Sequence, residues 1–408
     1  MNQLLNNKNS LCAKLNYILI IILPVTLFIG SLISNLTVLF ICVLFIIDLI
    51  KKKNFFLIKD FNFKFLLIIY GYLIINSLFV SYNSESLFKT VVFIRFFILS
   101  YALYYYFDLF KNDFLKFWFI IFLIVSLDIL FEFYVGKNIL GFSSVYHGRI
   151  ASFSGDELKV GGFYFGFLFI SLCFLSDKKK ALFILFSSFF FIIALLIGER
   201  SNFLKVLLMY IFFFMLFVDI SKMKKLFYVA LLIIVSTIII NSIPQLKGKF
   251  YYHVFKTYAK ELENNKKLDY ETIIKKNQYL SHYYTALMIS KDNLLFGSGF
   301  KTFRFESYKE KYTKKEDGFI FGASTHPHQT HFELLAEIGI IGYLLIISNL
   351  IFILYRQIKL DKSFLTKSSI LFILASLVPL LPSGSFFTSY GATIFFINYS
   401  FLIRLKRN

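Results

Sequence analysis

Apolar runs of about 20 residues, each closed by a short polar stretch, recur along the whole chain. A helix of that length crosses a hydrocarbon core of ~30 Å and satisfies its own backbone polar groups on the way. The pattern predicts twelve spans, at about 17–33, 36–50, 65–80, 91–107, 117–135, 160–175, 182–197, 203–220, 226–243, 333–354, 368–381 and 391–403. Short turns are expected at Ser31–Asn35, Ser81–Thr90 and Asp108–Lys116. One polar break is long. Pro244 opens a segment that runs to about Phe332 without an apolar run able to span. The expected architecture is an all-α polytopic membrane protein of about twelve transmembrane helices. Helices one to nine fill residues 1–243, a large loop fills 244–332, and helices ten to twelve fill 333–408. Inside the loop the pattern predicts a charged amphipathic helix over Lys256–Lys276, a second helix over Asn277–Lys291, a turn at Gly297-Ser298-Gly299 and a charged, mobile stretch over Glu306–Gly318.

Composition sharpens this reading. The chain of 408 residues is 58% hydrophobic, with a mean hydropathy of +0.69, too apolar for a soluble protein. The net charge of +20 does not point to nucleic acid, because half of the 44 lysines and arginines sit in the short loops on one side of the spans. Short loops rich in Lys and Arg stay in the cytoplasm. Lys51-Lys52-Lys53, Lys222, Lys224, Lys225 and the terminal Arg404, Lys406 and Arg407 therefore put both termini inside and the large loop outside. Cys12, Cys42 and Cys173 have no metal or disulfide spacing and read as small apolar residues. No small-residue cleavage site follows the first apolar run, which reads as an uncleaved span.

Charges inside spans need partners, at roughly 2.5–3.5 kcal/mol each on insertion scales. Arg95 and Glu132 each lie about one turn below an outer span end, and are expected to pair. The alternative gives Arg95 to a phosphate site. Asp128 is a second acid in the same span as Glu132. The outer loop before span six carries His147, Arg149 and Asp156-Glu157; the two acids would orient cations or bind sugar hydroxyls. Span seven delivers Gly198-Glu199-Arg200 to the outer surface, and Lys205 follows, either snorkelling to the interface or joining Arg95, Arg149, Arg200 and Arg304 around an anion.

Half of the six histidines fall in Thr325-His326-Pro327-His328-Gln329-Thr330-His331, where the large loop runs into span ten. An imidazole titrates near ~6.5 and suits proton transfer. ATP and nucleotide sugars are not available outside, so a reaction there needs a substrate that carries its own activation. A lipid-linked diphosphate sugar does, because its diphosphate is a leaving group. Such chemistry needs a base for the attacking hydroxyl and fixed cations for the departing diphosphate. His328 is the best base, and Arg suits the second task because its planar fork grips two phosphate oxygens. A zinc site of His326, His328, His331 and Glu333 is the competing reading, but Pro327 separates the first two and no matching ligand set appears elsewhere. A surface role is the remaining one.

At these residues the chain resembles the O-antigen ligase and O-antigen polymerase superfamily. That family shows a His followed by Asn, Ser or Gln, then nine residues, Gly, two residues, and Gly, Thr or Tyr; here these are His328, Gln329, Gly339 and Gly342. The wider form adds His326-Pro327 and Glu337. Arg200 and Leu204 match an outer Arg-x-x-x-Leu, and Asp292–Phe300 looks like the family's sequence around the Gly turn. Twelve spans and a large loop between helices nine and ten fit as well. The resemblance implies His328 as general base and Arg200 as a diphosphate-binding cation. The family's ligases carry a further Arg on the loop helix; Asn277–Ser290 has none, and His282 and Arg304 are its nearest substitutes.

The resemblance implies a multi-pass glycosyltransferase of the bacterial inner membrane, with its site facing the periplasm. It would move glycan from undecaprenyl diphosphate to an acceptor hydroxyl, lipid A–core in the ligase version and a carrier-linked repeat unit in the polymerase version. Direct displacement would invert the anomeric centre, with neither metal nor other cofactor. A transporter of the same lipid-linked glycan is the alternative from another class. Transporters place charge and broken helices at the bilayer midplane, whereas the polar chemistry here gathers at one boundary.

Overall fold

The computed structural model describes residues 10–81, 84–146, 148–155, 159–176, 180–252, 277–316, 319–360 and 363–403. Among them the regular secondary structure is helical apart from one small hairpin. The apolar helices are α1 (Leu11–Ile29), α2 (Ser31–Lys51), α3 (Phe61–Phe79), α4 (Ser84–Val135), α5 (Val160–Ser176), α6 (Lys180–Leu196), α7 (Arg200–Phe217) and α8 (Lys222–Ser242). The polar segment contributes α9 (Gln278–Asp292) and the antiparallel pair β1 (Lys314–Glu316) and β2 (Phe319–Phe321), with Lys315 opposite Ile320. The chain closes with α10 (Thr330–Leu360), α11 (Phe364–Ser376) and α12 (Ser389–Ser400). Each of the twelve expected apolar segments overlaps a helix, the first straddling the break at Gly30 and the eleventh running past the end of α11. Seven helices (α1, α2, α3, α4, α7, α8 and α10) are long and apolar enough to cross a membrane, and α5, α6 and α11 are shorter apolar helices. Leu32, Phe40, Ile68, Phe79 and many other large apolar side chains stand on the outer surface, as in a protein solvated by lipid.

Three expected turns differ. The first lies at Gly30 alone (φ +150°), and Ser31–Asn35 are already helical. Ser81–Thr90 is mostly the first turns of α4. Asp108–Lys116 is not a loop. α4 continues through it over 52 residues with one non-helical residue, Phe110. The expected Arg95–Glu132 pair does not form. Arg95 donates to Asn35 Oδ1 (3.0 Å) and Ser389 Oγ (3.1 Å), tying α4 to α2 and α12. Glu132 accepts the N–H groups of Ala151 (3.2 Å) and Ser152 (2.6 Å), and Asp128 accepts those of Ile139 (2.9 Å) and the Ser152 hydroxyl. Both acids therefore staple the following loop to α4.

The core is aromatic and locked by polar ties. Trp118, almost fully buried, donates to the Ile20 carbonyl (2.9 Å) and joins α4 to α1. Tyr399 donates to Asn349 Oδ1 (2.7 Å), and Asn349 to Asn62 Oδ1 (3.0 Å), linking α12, α10 and α3. Such ties are worth about 0.6 kcal/mol each between membrane helices; their larger effect is to fix register.

The polar segment is held by a break in α10. Gly339 leaves helical geometry (φ +65°, ψ −175°). The break frees backbone groups that hydrocarbon would leave unpaired. Leu294–Gly299 lies alongside and takes them: Ile340 N–H donates to Leu294 O (2.9 Å) and Ile341 N–H to Leu295 O (3.3 Å), while Ala336 O and Glu337 O accept from Ser298 (2.9 Å) and Gly299 (2.8 Å). Gly297 and Gly339 are in backbone contact, and a Cβ on Gly339 would lie 2.4 Å from Leu295 O. Asn76 of α3 clamps the same turn from below, donating to Phe296 O (2.6 Å) and accepting from Phe300 N–H (2.9 Å). The expected Gly297-Ser298-Gly299 turn and the expected second loop helix, observed as α9, thus both form against α10. Lys256–Lys276 lies outside the described residues.

Gly339→Ala combines a left-handed φ with a backbone collision, so its strain of about 1–3 kcal/mol cannot be relieved by a side-chain move. Thermal unfolding in detergent should show a lower melting temperature and earlier proteolysis of the polar segment. Gly71→Ala, where a Cβ meets nothing, should match or exceed the parent. Equal melting of the two variants contradicts the backbone pairing described above.

Candidate functional site

The break positions what precedes it. α10 begins at Thr330, and the residues just before it turn sharply, with His328 in the left-handed region (φ +57°). Its carbonyl accepts from Ser383 N–H (2.7 Å), and Thr330 Oγ1 and Ser383 Oγ are 3.2 Å apart. A non-glycine residue held at positive φ by outside bonds is strain of the kind that clusters at working sites.

Three imidazoles meet there. The His328 ring lies 4.0 Å from that of His326 and 5.2 Å, stacked, from that of His282 on α9. Tyr279, one turn earlier, meets it edge-on at 5.5 Å. His326 Nδ1 is 3.0 Å from Thr325 Oγ1, but its Nε2 is buried without a hydrogen-bond partner, as is His282 Nδ1. Burial lowers all three rings. It takes His282 to about 4 with help from the neighbouring His328, and His326 to about 3 with help from His328, Lys301, His282 and Arg304; His328 also moves below its ordinary value. All three are neutral near pH 7, the state a base needs. His331 is committed elsewhere, with Nδ1 3.1 Å from Tyr343 Oη and Nε2 2.8 Å from Leu377 O. Glu333 accepts from the Ser385 hydroxyl and from Phe386 N–H (2.7 Å). Two members of the zinc alternative thus already have partners.

Cations flank the cluster on two sides. On the loop side, Lys301 is 6% exposed and adopts φ +60°. Its N–H donates to Glu337 Oε2 (2.8 Å) and its Nζ to Ser385 Oγ (3.2 Å). Burial lowers its ammonium, against the opposing pull of Glu333 and Glu337. Glu337 also accepts from Phe303 N–H (3.3 Å), capping the short helix Phe303–Glu306 that carries Arg304. Glu337 therefore holds the turn. Arg304, whose Nε is buried without a partner, lies in the electrostatic surroundings of His326. Lys301 escaped the sequence reading because nothing in its spacing marks it; only the fold sets it between two glutamates of α10.

On the other side stand Arg200, Lys205 and Arg149. Glu199, at the start of α7, packs on Gly161 of α5 and accepts from Asn202 (2.5 Å). Burial raises its carboxyl, countered by Asn202, Arg149 and Lys205. Lys205 is buried, with Nζ 5.5 Å from the centre of the Phe165 ring, so it does not snorkel outward. It lines, with Asn202, a cavity of about 200 Å³ that Thr330 and Ser383–Phe386 also line. The cavity thus touches the helix of Arg200 through Asn202 and Lys205, and the segment bonded to His328 through Ser383. Aromatic faces (Phe165, Tyr390) and hydroxyls line it together, a surface suited to sugar. Arg149 approaches from the loop before α5, beside Tyr146 (6.0 Å to the ring centre). Lys249, just past α8, joins it: burial and the nearby Arg149 and Arg200 guanidiniums lower its ammonium. The structure thus brings His282, His326, His328 and Arg304 together; Arg149 and Lys205 both act on Glu199, Arg149 and Arg200 both act on Lys249, and of these cations Lys205 alone lines the cavity. Arg95 is a helix tie. His147 and Asp156-Glu157 lie outside the described residues.

Residues 165–347 match a family model described as O-antigen ligase. The matched stretch contains Arg200, Lys205, His282, Lys301, Arg304, His326, His328, Glu337 and the Gly339 break. The comparison with curated proteins gives no match.

The packed neutral rings carry a pH dependence. His282 and His326 titrate lower in the folded chain than their ordinary 6.5, so protons bind the unfolded chain first. Their contribution to stability is complete above about pH 6.5 and is lost progressively as pH falls toward 3. The parent melting temperature should drop between pH 6.5 and 4 more steeply than that of a His282→Gln, His326→Gln double variant. Superimposable curves would exclude a neutral cluster.

Proposed function

We propose, from the match of residues 165–347 to a family model described as O-antigen ligase, that this chain is an inverting membrane glycosyltransferase. It takes glycan from undecaprenyl diphosphate and joins it to an acceptor hydroxyl, that of lipid A–core, on the periplasmic face of the bacterial inner membrane. The observation that carries this reading is the neutral, strained His328, whose carbonyl is bonded by Ser383 in the wall of a hydroxyl- and aromatic-lined cavity that Asn202 and Lys205 reach from the helix of Arg200.

His328 removes the acceptor hydroxyl proton as that oxygen attacks the anomeric carbon. The carbon–oxygen bond to the diphosphate breaks, and the leaving diphosphate takes the electron pair. Arg200 binds it from the start of α7, where the helix dipole adds positive potential. Displacement in one step inverts the anomeric centre. Lys205 and Arg304 hold further anionic or glycan oxygens, and His282 and His326 keep His328 dry and unprotonated. Lys301 supplies the positive charge that offsets Glu333 and Glu337. The basic short loops support cytoplasmic termini and a periplasmic site.

The polymerase reading is kept because α9 carries no Arg. A deletion strain separates the two: loss of all banding on an intact core marks a ligase, and a single repeat on the core marks a polymerase.

His328→Ala should reduce transfer by ~10²–10⁴-fold, the usual contribution of a positioned base, with normal membrane insertion. Arg200→Ala should abolish transfer, and Arg200→Lys should restore only part of it, because an ammonium cannot form the bidentate contact. Wild-type glycan ladders from His328→Ala at equal expression would remove the histidine from the mechanism.

A further inference from the structure

Lys205 is buried on α7, at 4% exposure, yet it faces a hollow. Among the described residues it is the one charged group that lines the cavity of about 200 Å³. Its Nζ lies 5.5 Å from the centre of the Phe165 ring, and among those residues it makes no hydrogen bond or ion pair. Glu199 attracts it without pairing, and spends Oε2 on Asn202. A buried ammonium without hydrogen bonds is costly, so it calls for a partner that the chain itself does not supply.

The other polar groups around the cavity have mostly spent their hydrogens. The hydroxyls of Ser376, Ser385, Thr388 and Tyr390 donate to Phe372 O, Glu333, Ser385 O and Lys159 O in turn. Thr330 and Ser383 share one bond, and the Asn202 amide donates to Glu199. What these groups still offer is chiefly oxygen lone pairs, whereas Lys205 offers three N–H donors and a full charge. A ligand suited to this lining carries one anionic group for the ammonium and hydroxyl hydrogens for the oxygens. An acidic sugar has both. At ~30 Å³ per water the cavity has the volume of about seven waters, the space of one sugar ring rather than a chain. A diphosphate suits it less well. That anion spreads its charge over two centres, and the guanidinium forks of Arg149 and Arg200 stand outside the lining.

We propose that this cavity is a subsite for a sugar carboxylate, in which Lys205 selects an acidic ring, of the hexuronic acid class, over a neutral one. The carboxylate accepts from Lys205 Nζ, and ring hydroxyls donate to the oxygens of Asn202 and of the Thr330–Ser383 pair. Ser383 N–H donates to the His328 carbonyl, so the subsite adjoins the candidate base. The subsite rests on the glycosyltransferase reading for its place in a reaction. Recognition of the sugar, however, is measurable without turnover.

The test uses the purified full-length protein in nanodiscs and two probes, methyl glucuronide and methyl glucoside, which differ by a carboxylate in place of a hydroxymethyl group. Binding is read from saturation-transfer NMR titrations. The parent should bind the glucuronide about tenfold more tightly than the glucoside, the gain of a charge-assisted contact. Lys205→Met keeps the length and removes the charge, and should abolish that preference; Lys205→Arg should keep most of it. Inorganic diphosphate should not displace the glucuronide, which separates this subsite from the diphosphate contact of Arg200. Melting curves accompany each variant, and Lys205→Gln takes the place of Lys205→Met if the latter unfolds. Equal binding of the two sugars by the parent, binding of neither, or a preference that survives loss of the charge overturns the subsite, as does displacement by diphosphate. His328→Ala should bind the glucuronide like the parent. Intact binding together with undiminished transfer by that variant would overturn the transferase mechanism and leave the subsite standing.

Discussion

The backbone pairing between Leu294–Gly299 and the broken turn of α10 is the constraint from which the candidate site follows. A helix that breaks near hydrocarbon exposes N–H and C=O groups that nothing in a lipid environment can satisfy. Here a second segment of the chain satisfies them, and both must be nearly bare of side chains where they touch. That requirement explains a glycine on each side, Gly297 and Gly339. It also explains why Ile340 and Ile341 remain bonded although their helical partners are lost. Once the two backbones lock, α9 is pinned against α10 through Tyr283 and Phe332 (ring centres 4.9 Å apart), and His282 has one place to go.

Charge follows from the same geometry. The turn delivers Lys301 into a pocket made by Glu333 and Glu337, two acids spaced one turn apart on α10. A lone buried carboxylate would be costly. An ammonium between two of them, with Ser385 bridging, reduces that cost and anchors the α11–α12 connection. That connection in turn bonds the carbonyl of His328. The catalytic candidate is thus held by a bond to its backbone, which leaves its ring without a hydrogen bond among the described residues and available for proton transfer.

Much of this was legible in the residues, and the rest was not for identifiable reasons. Hydrocarbon imposes a length and a composition, so the apolar segments announced themselves, and the start of α9 was read to within one residue, Asn277 being its cap rather than its first residue. The Phe110 kink was missed because charged residues around it, from Asp108 to Lys116, read as a loop while remaining helical. Arg95 and Glu132 were matched by depth alone. Depth does not fix direction around a helix, and the two residues face different neighbours. His282 was found by its place in the loop, but its stacking on His328 required the fold. Lys249 and Lys301 carry no pattern of their own; a lysine in a polar loop becomes distinctive only when other segments close around it.

Asn76 illustrates what such long-range closure means for synthesis. This amide is buried at 1% exposure within α3, and its two partners, Phe296 and Phe300, lie 220 and 224 residues further along. Translation delivers α3 to the bilayer well before those residues exist, so the amide must wait in an environment that offers it nothing comparable. Closure of the site needs residues from the final third of the polypeptide to return to a helix made long before.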